Sequence, residues 1–161
     1  MKWIGLFLVV YIFASTQELV AQKSQADSIF ETHRLKFDPA RNSESDVQAA
    51  VISATKEKKR IILDVGGEWC SWCHRLDRFL HDQADLGAYL SEHYVIVKVN
   101  YSQENKNEKF LGQYPTIDGY PHLFVLDSDG KFLLSQSTGD FEAGKGYNHD
   151  KVLTFLKKWS L

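Results

Sequence analysis

With 161 residues, 43% of them hydrophobic and 13% aromatic, the chain has the size and apolar content of one compact domain rather than of a disordered or fibrous polymer. Its formal net charge is −2 and its charged residues are spread along the sequence. It therefore lacks the basic footprint that binds nucleic acid or an anionic membrane surface.

Residues 1–22 differ from the rest. Lys2 precedes a nearly unbroken apolar run from residue 3 to residue 14, then polar Ser15-Thr16-Gln17-Glu18, then Leu19-Val20-Ala21-Gln22. This is the layout of a secretory signal peptide. The run is shorter than the roughly 20 apolar residues that span a bilayer. The expectation is a signal peptide over 1–22, cleaved near Ala14 or Ala21, although Leu19 stands where a small residue is preferred. The alternative is an uncleaved anchor, the one case in which the chain would meet a membrane. No cysteine lies near the cleavage site, which argues against a lipid-anchored protein.

A polar lead-in follows over 23–42, with Leu35-Lys36-Phe37 expected as a short edge strand and Asp38-Pro39 as a turn. The main domain is expected over 43–161. Ser43 or Ser45 can cap a helix on which Val47, Ala50, Val51 and Ala54 recur at helical spacing. The basic run 56–60 suits the C-terminal end of that helix. Ile61-Ile62-Leu63-Asp64-Val65 reads as a buried central strand. Gly66-Gly67 breaks it, and a helix is predicted from about Cys70, with a continuation over 84–90. A strand at 94–99, a short helix around 107–111 and a strand at 122–126 come next. Asp127-Ser128-Asp129-Gly130 then turns the chain into 131–134 as an antiparallel hairpin. Val152, Phe155, Leu156 and Trp159 mark an amphipathic last helix. This order predicts an α/β domain with a mixed central sheet flanked by helices. Residues 142–149 look like an insertion able to shape a partner surface.

The two cysteines, Cys70 and Cys73, share one four-residue motif. A bridge between them closes almost no loop, so its value is chemical more than structural. At a helix N-terminus the first cysteine lies beside unpaired N–H groups and the positive end of the dipole, which stabilise a thiolate. The second, one turn on, can attack a mixed disulfide. Cys70 is thus the candidate nucleophile and Cys73 the resolving thiol.

Gly67-Glu68-Trp69-Cys70-Ser71-Trp72-Cys73, preceded by the 61–65 run and followed by Gly119-Tyr120-Pro121, resembles the thioredoxin superfamily over about residues 43–160. The likeness is to exported bacterial members with a Trp-Cys-x-x-Cys motif. It implies a thioredoxin-like fold, a bacterial periplasmic location and thiol–disulfide oxidoreductase activity on protein disulfides or dithiols. It also implies a redox partner that recycles the pair, no dissociable cofactor, no bound metal, and a monomer. By position, Asp64 would be the buried carboxylate serving Cys73 and Lys98 the cation paired with it. Pro121 would be a cis-proline facing the disulfide, Tyr120 would offer backbone groups to an extended substrate, and Gly139 would lie beside the substrate groove. Trp69 reads equally as core packing or as a wall of the site.

The sequence departs from the thioredoxin pattern in three places. Ser71-Trp72 replaces Gly-Pro, Val65-Gly66 replaces an aromatic pair, and no proline interrupts the helix after Cys73. The dipeptide between the cysteines strongly affects a potential that spans about −270 to −120 mV in such proteins, so the direction of electron flow stays open. Two rival readings accompany this one. Cys70-Ser71-Trp72-Cys73-His74 fits the c-type haem attachment signature, although Met1 is the only methionine and no distal Met ligand is available. The other is a non-catalytic thioredoxin-fold module that binds a metal or a partner protein, its pair being either a vestigial disulfide or a metal site that His74 and His122 would complete if the fold brought them together.

Overall fold

The apolar run at 61–65 lies in one of the two inner strands of a four-stranded sheet. In this computed structural model residues 4–161 are described, with side chains from Thr16 onward except His33. Lys2 and Trp3, on which the signal-peptide expectation partly rests, lie outside the described residues. Two compact units are present, Met1–Leu35 and Lys36–Leu161. The first holds helix α1, Ile4–His33, so the polar lead-in is helical well past residue 22. Among the described residues no helix is long and apolar enough to cross a membrane.

Residues 35–37 form no strand. The Phe37 N–H donates instead to Glu68 Oε1 at 2.9 Å, so no ladder partner is needed. Helix α2, Ser43–Glu57, is capped by the Asn42 side chain, which accepts from the Ser45 N–H. It ends at Lys58, held in the left-handed conformation at φ 56°. The basic run is accordingly divided: Arg60 already belongs to β1, Arg60–Gly66, and donates to the Trp159 carbonyl at 2.8 Å.

β1 pairs in parallel with β2, Tyr94–Asn100, and antiparallel with β3, His122–Leu126. β3 pairs antiparallel with β4, Phe132–Ser137, through the expected turn, where Gly130 takes φ 87°. Helices α3, Ser71–Asp82, and α4, Ala84–His93, lie between β1 and β2 in sequence; α5, Glu108–Leu111, follows β2. A 3-10 turn at Thr138–Phe141, a small hairpin of β5, Glu142–Ala143, and β6, Gly146–Tyr147, and helix α6, His149–Trp159, complete the chain. The α/β expectation of a mixed sheet covered by helices holds.

The period of two along a strand sorts side chains to opposite faces. Ile61, Leu63 and Val65 of β1 join Val97, Val99, Phe124 and Leu126 in a core that includes Ala50 and Ala54 of α2. Ile62 and its neighbours Leu123 and Val125 face the other way, into a core with Leu76 of α3, Leu86 of α4 and Val152, Phe155 and Leu156 of α6. Asp64 is two residues from Ile62 and Lys98 two from Ile96, so both fall on the α3 side of the sheet. That parity brings charge into an otherwise apolar layer.

Candidate active site

Cys70 and Cys73 form a disulfide with a Cα–Cα separation of 5.2 Å. Cys70 is the N-cap of α3, and its Sγ accepts the backbone N–H of Cys73 at 3.1 Å. No acidic residue occupies the first turn of α3, where Cys70 Sγ sits at the positive end of the helix. Both cysteines are buried and pack with Phe37, with Trp72 and Tyr120 against the edge of the cluster.

Gly66 and Gly67 allow this close approach. A Cβ on Gly66 would stand 2.5 Å from Cys73 Sγ and 3.1 Å from Phe37 Cζ. A Cβ on Gly67 would collide with the Trp69 indole nitrogen and lie 2.8 Å from the Tyr101 carbonyl. Only glycine lets the strand end run beneath the sulfurs.

On the α3 side of the sheet, Asp64 is directly opposite Lys98 in the parallel β1–β2 register. The Lys98 Nζ donates to Asp64 Oδ2 at 2.6 Å, and also to Asp77 Oδ1 on α3. Asp64 is only 5% exposed, and its Oδ1 is buried without a hydrogen-bond donor. Burial opposes the charge on Lys98, but attraction and hydrogen bonds from Asp64 and Asp77 outweigh it and hold the ammonium pKa above its ordinary value. Two carboxylates around one cation make a site that can hold or pass a proton.

The residues expected to form the wall are placed as follows. The Tyr120–Pro121 peptide bond is cis, and the Pro121 carbonyl accepts from Thr138 Oγ1 at 2.6 Å. Gly139 is the next residue and is exposed; a Cβ there would meet only Ser137 Oγ at 3.4 Å. Tyr120 stacks on Tyr101 with centroids 4.8 Å apart. Burial, aided by Tyr101, pushes its phenol pKa up to about 12. Trp69 is 59% exposed, meets Tyr120 edge-on at 5.8 Å, and donates from Nε1 to the Tyr101 carbonyl at 2.7 Å.

His74 and His122 have separate partners. Nε2 of His74 hydrogen-bonds with the Glu68 carbonyl at 2.8 Å, and Nε2 of His122 with Ser135 Oγ at 2.8 Å. Burial lowers the His122 pKa against the opposing pull of Asp118. Among the described residues no three His, Cys, Asp or Glu side chains gather to hold a metal ion.

Sequence reasoning missed Asp77, Phe37 and Tyr147. Asp77 had a usable signal, being four residues after Cys73 and therefore on the same helical face. Tyr147 belongs to the segment read as an insertion, and it props the motif from behind. Its ring meets Trp72 at 5.5 Å, and its hydroxyl donates to the Trp72 carbonyl at 3.3 Å. The Arg75 guanidinium covers Trp72 at 4.6 Å from the ring centroid.

Comparison with known proteins agrees with this geometry. Disulfide bond reductase DsbH of Chlamydia pneumoniae is 28% identical over 123 residues, covering 71% of this chain and 72% of that protein. Thiol:disulfide interchange protein DsbD of Vibrio vulnificus is 24% identical over 91% of this chain, which spans only 24% of that longer protein. Among solved structures, the disulphide isomerase from Xylella fastidiosa Temecula1 superposes with a TM-score of 0.67 at 25% identity, covering 78% of this chain and 97% of that one. The oxidised C-terminal domain of DsbD from Neisseria meningitidis, at 16% identity and a TM-score of 0.54, shares the fold. The sequence profile described as thioredoxin-like matches residues 42–128, and with the disulfide at the start of α3 and the cis Tyr120–Pro121 bond, the chain belongs to the thioredoxin-like family.

Proposed function

We propose that this thiol–disulfide oxidoreductase works as a reductase of protein disulfides in an exported compartment, the bacterial periplasm. The observation that carries the proposal is the Cys70–Cys73 disulfide at the N-terminus of α3, above the buried Asp64–Lys98–Asp77 cluster. The direction is supported by the likeness to the chlamydial disulfide bond reductase. Export is supported by the pattern of residues 1–22.

In the reduced protein the Cys70 thiolate attacks one sulfur of the substrate disulfide. A mixed disulfide forms and the first substrate thiolate leaves. Cys73 then attacks Cys70 Sγ, re-forming the Cys70–Cys73 bond and releasing the second substrate thiol. Two electrons have passed to the substrate, and an external dithiol partner must return them. Cys73 must lose its proton to attack, and Asp64, held by Lys98, is the group that takes it. Tyr120 and Pro121 line the strip along which an extended substrate lies, with Gly139 beside it and Trp69 as its rim.

The deciding measurement is the reduction potential of the Cys70–Cys73 couple, with insulin reduction as the activity. A potential near about −270 mV together with insulin turnover supports a reductase, and one near about −120 mV overturns that direction in favour of an oxidase. The Cys73→Ser protein should accumulate mixed disulfides, because the resolving thiol is gone. A Soret band in the natively matured protein would overturn the thiol-exchange reading itself.

A further inference from the structure

We infer that Phe37 is a positioning residue of the thiol site. Its ring seals Cys73 and Lys98 from water, in the space that the domain's own motif leaves open at Gly66. The inference rests on the reading of Cys70–Cys73 as the exchanging pair, and it adds a residue from outside the stretch matched by the family profile, which begins at residue 42.

Three independent contacts fix the ring. Phe37 is 1% exposed and packs in one cluster with both cysteines. Lys98 Nζ lies over its face, 4.4 Å from the centroid, where the ring quadrupole attracts a cation. Its Cζ and Cε1 would be 3.1 and 3.2 Å from any Cβ placed on Gly66. The ring therefore occupies the room beside Gly66, one of the two positions where the thioredoxin pattern has aromatic residues. The segment is tied on both sides of the ring. The Phe37 N–H donates to Glu68 Oε1 at 2.9 Å, and the Pro39 carbonyl accepts from Asn105 Nδ2 at 2.9 Å. One tie reaches the residue two before Cys70, and the other reaches the loop after β2.

Phe37 thus belongs to the cysteine cluster and also lies under the Lys98 ammonium. The ionisable groups around it come from every packed element: Asp64 of β1, Lys98 of β2, Asp77 and His74 of α3, Glu68 before the motif, and Cys70 itself. Asp64 and Asp77 set two carboxyl groups against the single ammonium of Lys98. A thiol in apolar surroundings holds its proton more tightly, and more so beside carboxylates. Removing the ring admits water, solvates the Cys73 thiolate and screens the carboxylates. Both effects lower the Cys73 pKa.

The test is a pH titration of Cys73 in the reduced full-length chain on a Cys70→Ser background, read by ultraviolet thiolate absorbance and by alkylation rate. Phe37→Ala should lower the Cys73 pKa by about one unit, which is a roughly tenfold rise in thiolate at a pH below it. Phe37→Leu, which keeps apolar volume without a π face, should give a smaller fall. If Phe37→Ala does not fold, as judged by near-ultraviolet circular dichroism, the Leu variant carries the test. A Cys73 pKa unchanged or raised in folded Phe37→Ala or Phe37→Leu overturns the inference and leaves Phe37 as core packing. The titration is separate from the functional reading. A normal shift in a protein that does not reduce insulin counts against the reductase, and an active protein without the shift counts against Phe37 alone.

Discussion

Three helices of the second unit begin with a side chain that accepts the backbone N–H three residues on, and one of the three caps differs from the others. Asn42 caps α2 at 2.9 Å and Asn148 caps α6 at 3.0 Å, each through an amide oxygen. Cys70 caps α3 at 3.1 Å through sulfur. The first turns differ in the same sense: α2 carries Glu44 and Asp46, α6 carries Asp150, and α3 carries no acid. At α2 and α6 the positive end of the helix is spent on fixed carboxylates, which favours the helix. At α3 it is reserved for an atom whose charge changes during exchange. The geometry of a cap is common to all three, and chemistry enters only where the accepting atom can ionise and no acid competes.

The largest break in that comparison is Cys70→Ser. Serine is itself a good N-cap, so the reduced variant should lie within about 1 kcal/mol of the reduced parent in urea unfolding. Insulin reduction should nevertheless fall by at least about a thousandfold. Residual turnover close to the parent's would show that Cys70 is not the attacking thiol.

Lys98→Met comes next in size. It strands Asp64 and Asp77 in the core, and breaking such a buried pair costs about 3–5 kcal/mol in denaturant unfolding. The sign of its pH dependence follows from the raised Lys98 pKa. The ammonium's stabilisation is complete below its ordinary pKa of 10.5 and is lost as pH climbs through the higher folded value. The parent should therefore lose stability in that alkaline range, and Lys98→Met should lack this part of the slope. Identical pH profiles would mean that the cluster holds no protonated lysine.

Asn148→Ala tests the ordinary cap. It should cost about 1 kcal/mol of stability and leave the reactivity of Cys70 unchanged. The smallest effect is expected from Ser71→Asp, which gives α3 the acidic first turn that α2 and α6 have. It should raise the Cys70 pKa by about half a unit, seen as slower iodoacetamide alkylation near neutral pH. A faster rate would show that the helix end contributes nothing to the thiolate.

Much of this was legible in the sequence because local patterns encode it. The 61–65 run, the Gly-Gly break before Cys70, the Asp127–Gly130 turn and the helical spacing through Trp159 each depend on neighbours within a turn or a strand. The Asp64–Lys98 pair was reachable through the family resemblance, and strand parity explains it. Asp77 could have been read from its spacing to Cys73, but an acid on a helix ordinarily faces water, and that expectation masked the signal. Phe37 was hidden for a stronger reason. Its partners Glu68, Cys73 and Lys98 are 31 or more residues away, and no periodicity in a polar lead-in records a reversal of the chain onto the site. The helical run of α1 to His33 was likewise missed, since residues 23–33 show little apolar repeat.

Gly66 and Phe37 occupy one volume from two places in the chain. Neither position is free to drift alone: a larger residue at 66 meets Cys73 Sγ as well as the ring, and loss of the ring leaves a hollow that glycine cannot fill. Transplanting the 43–161 segment into another protein without residues 37–39 would carry the cysteines across but leave their lining behind. The boundary of the chemistry lies upstream of the boundary of the recognisable domain.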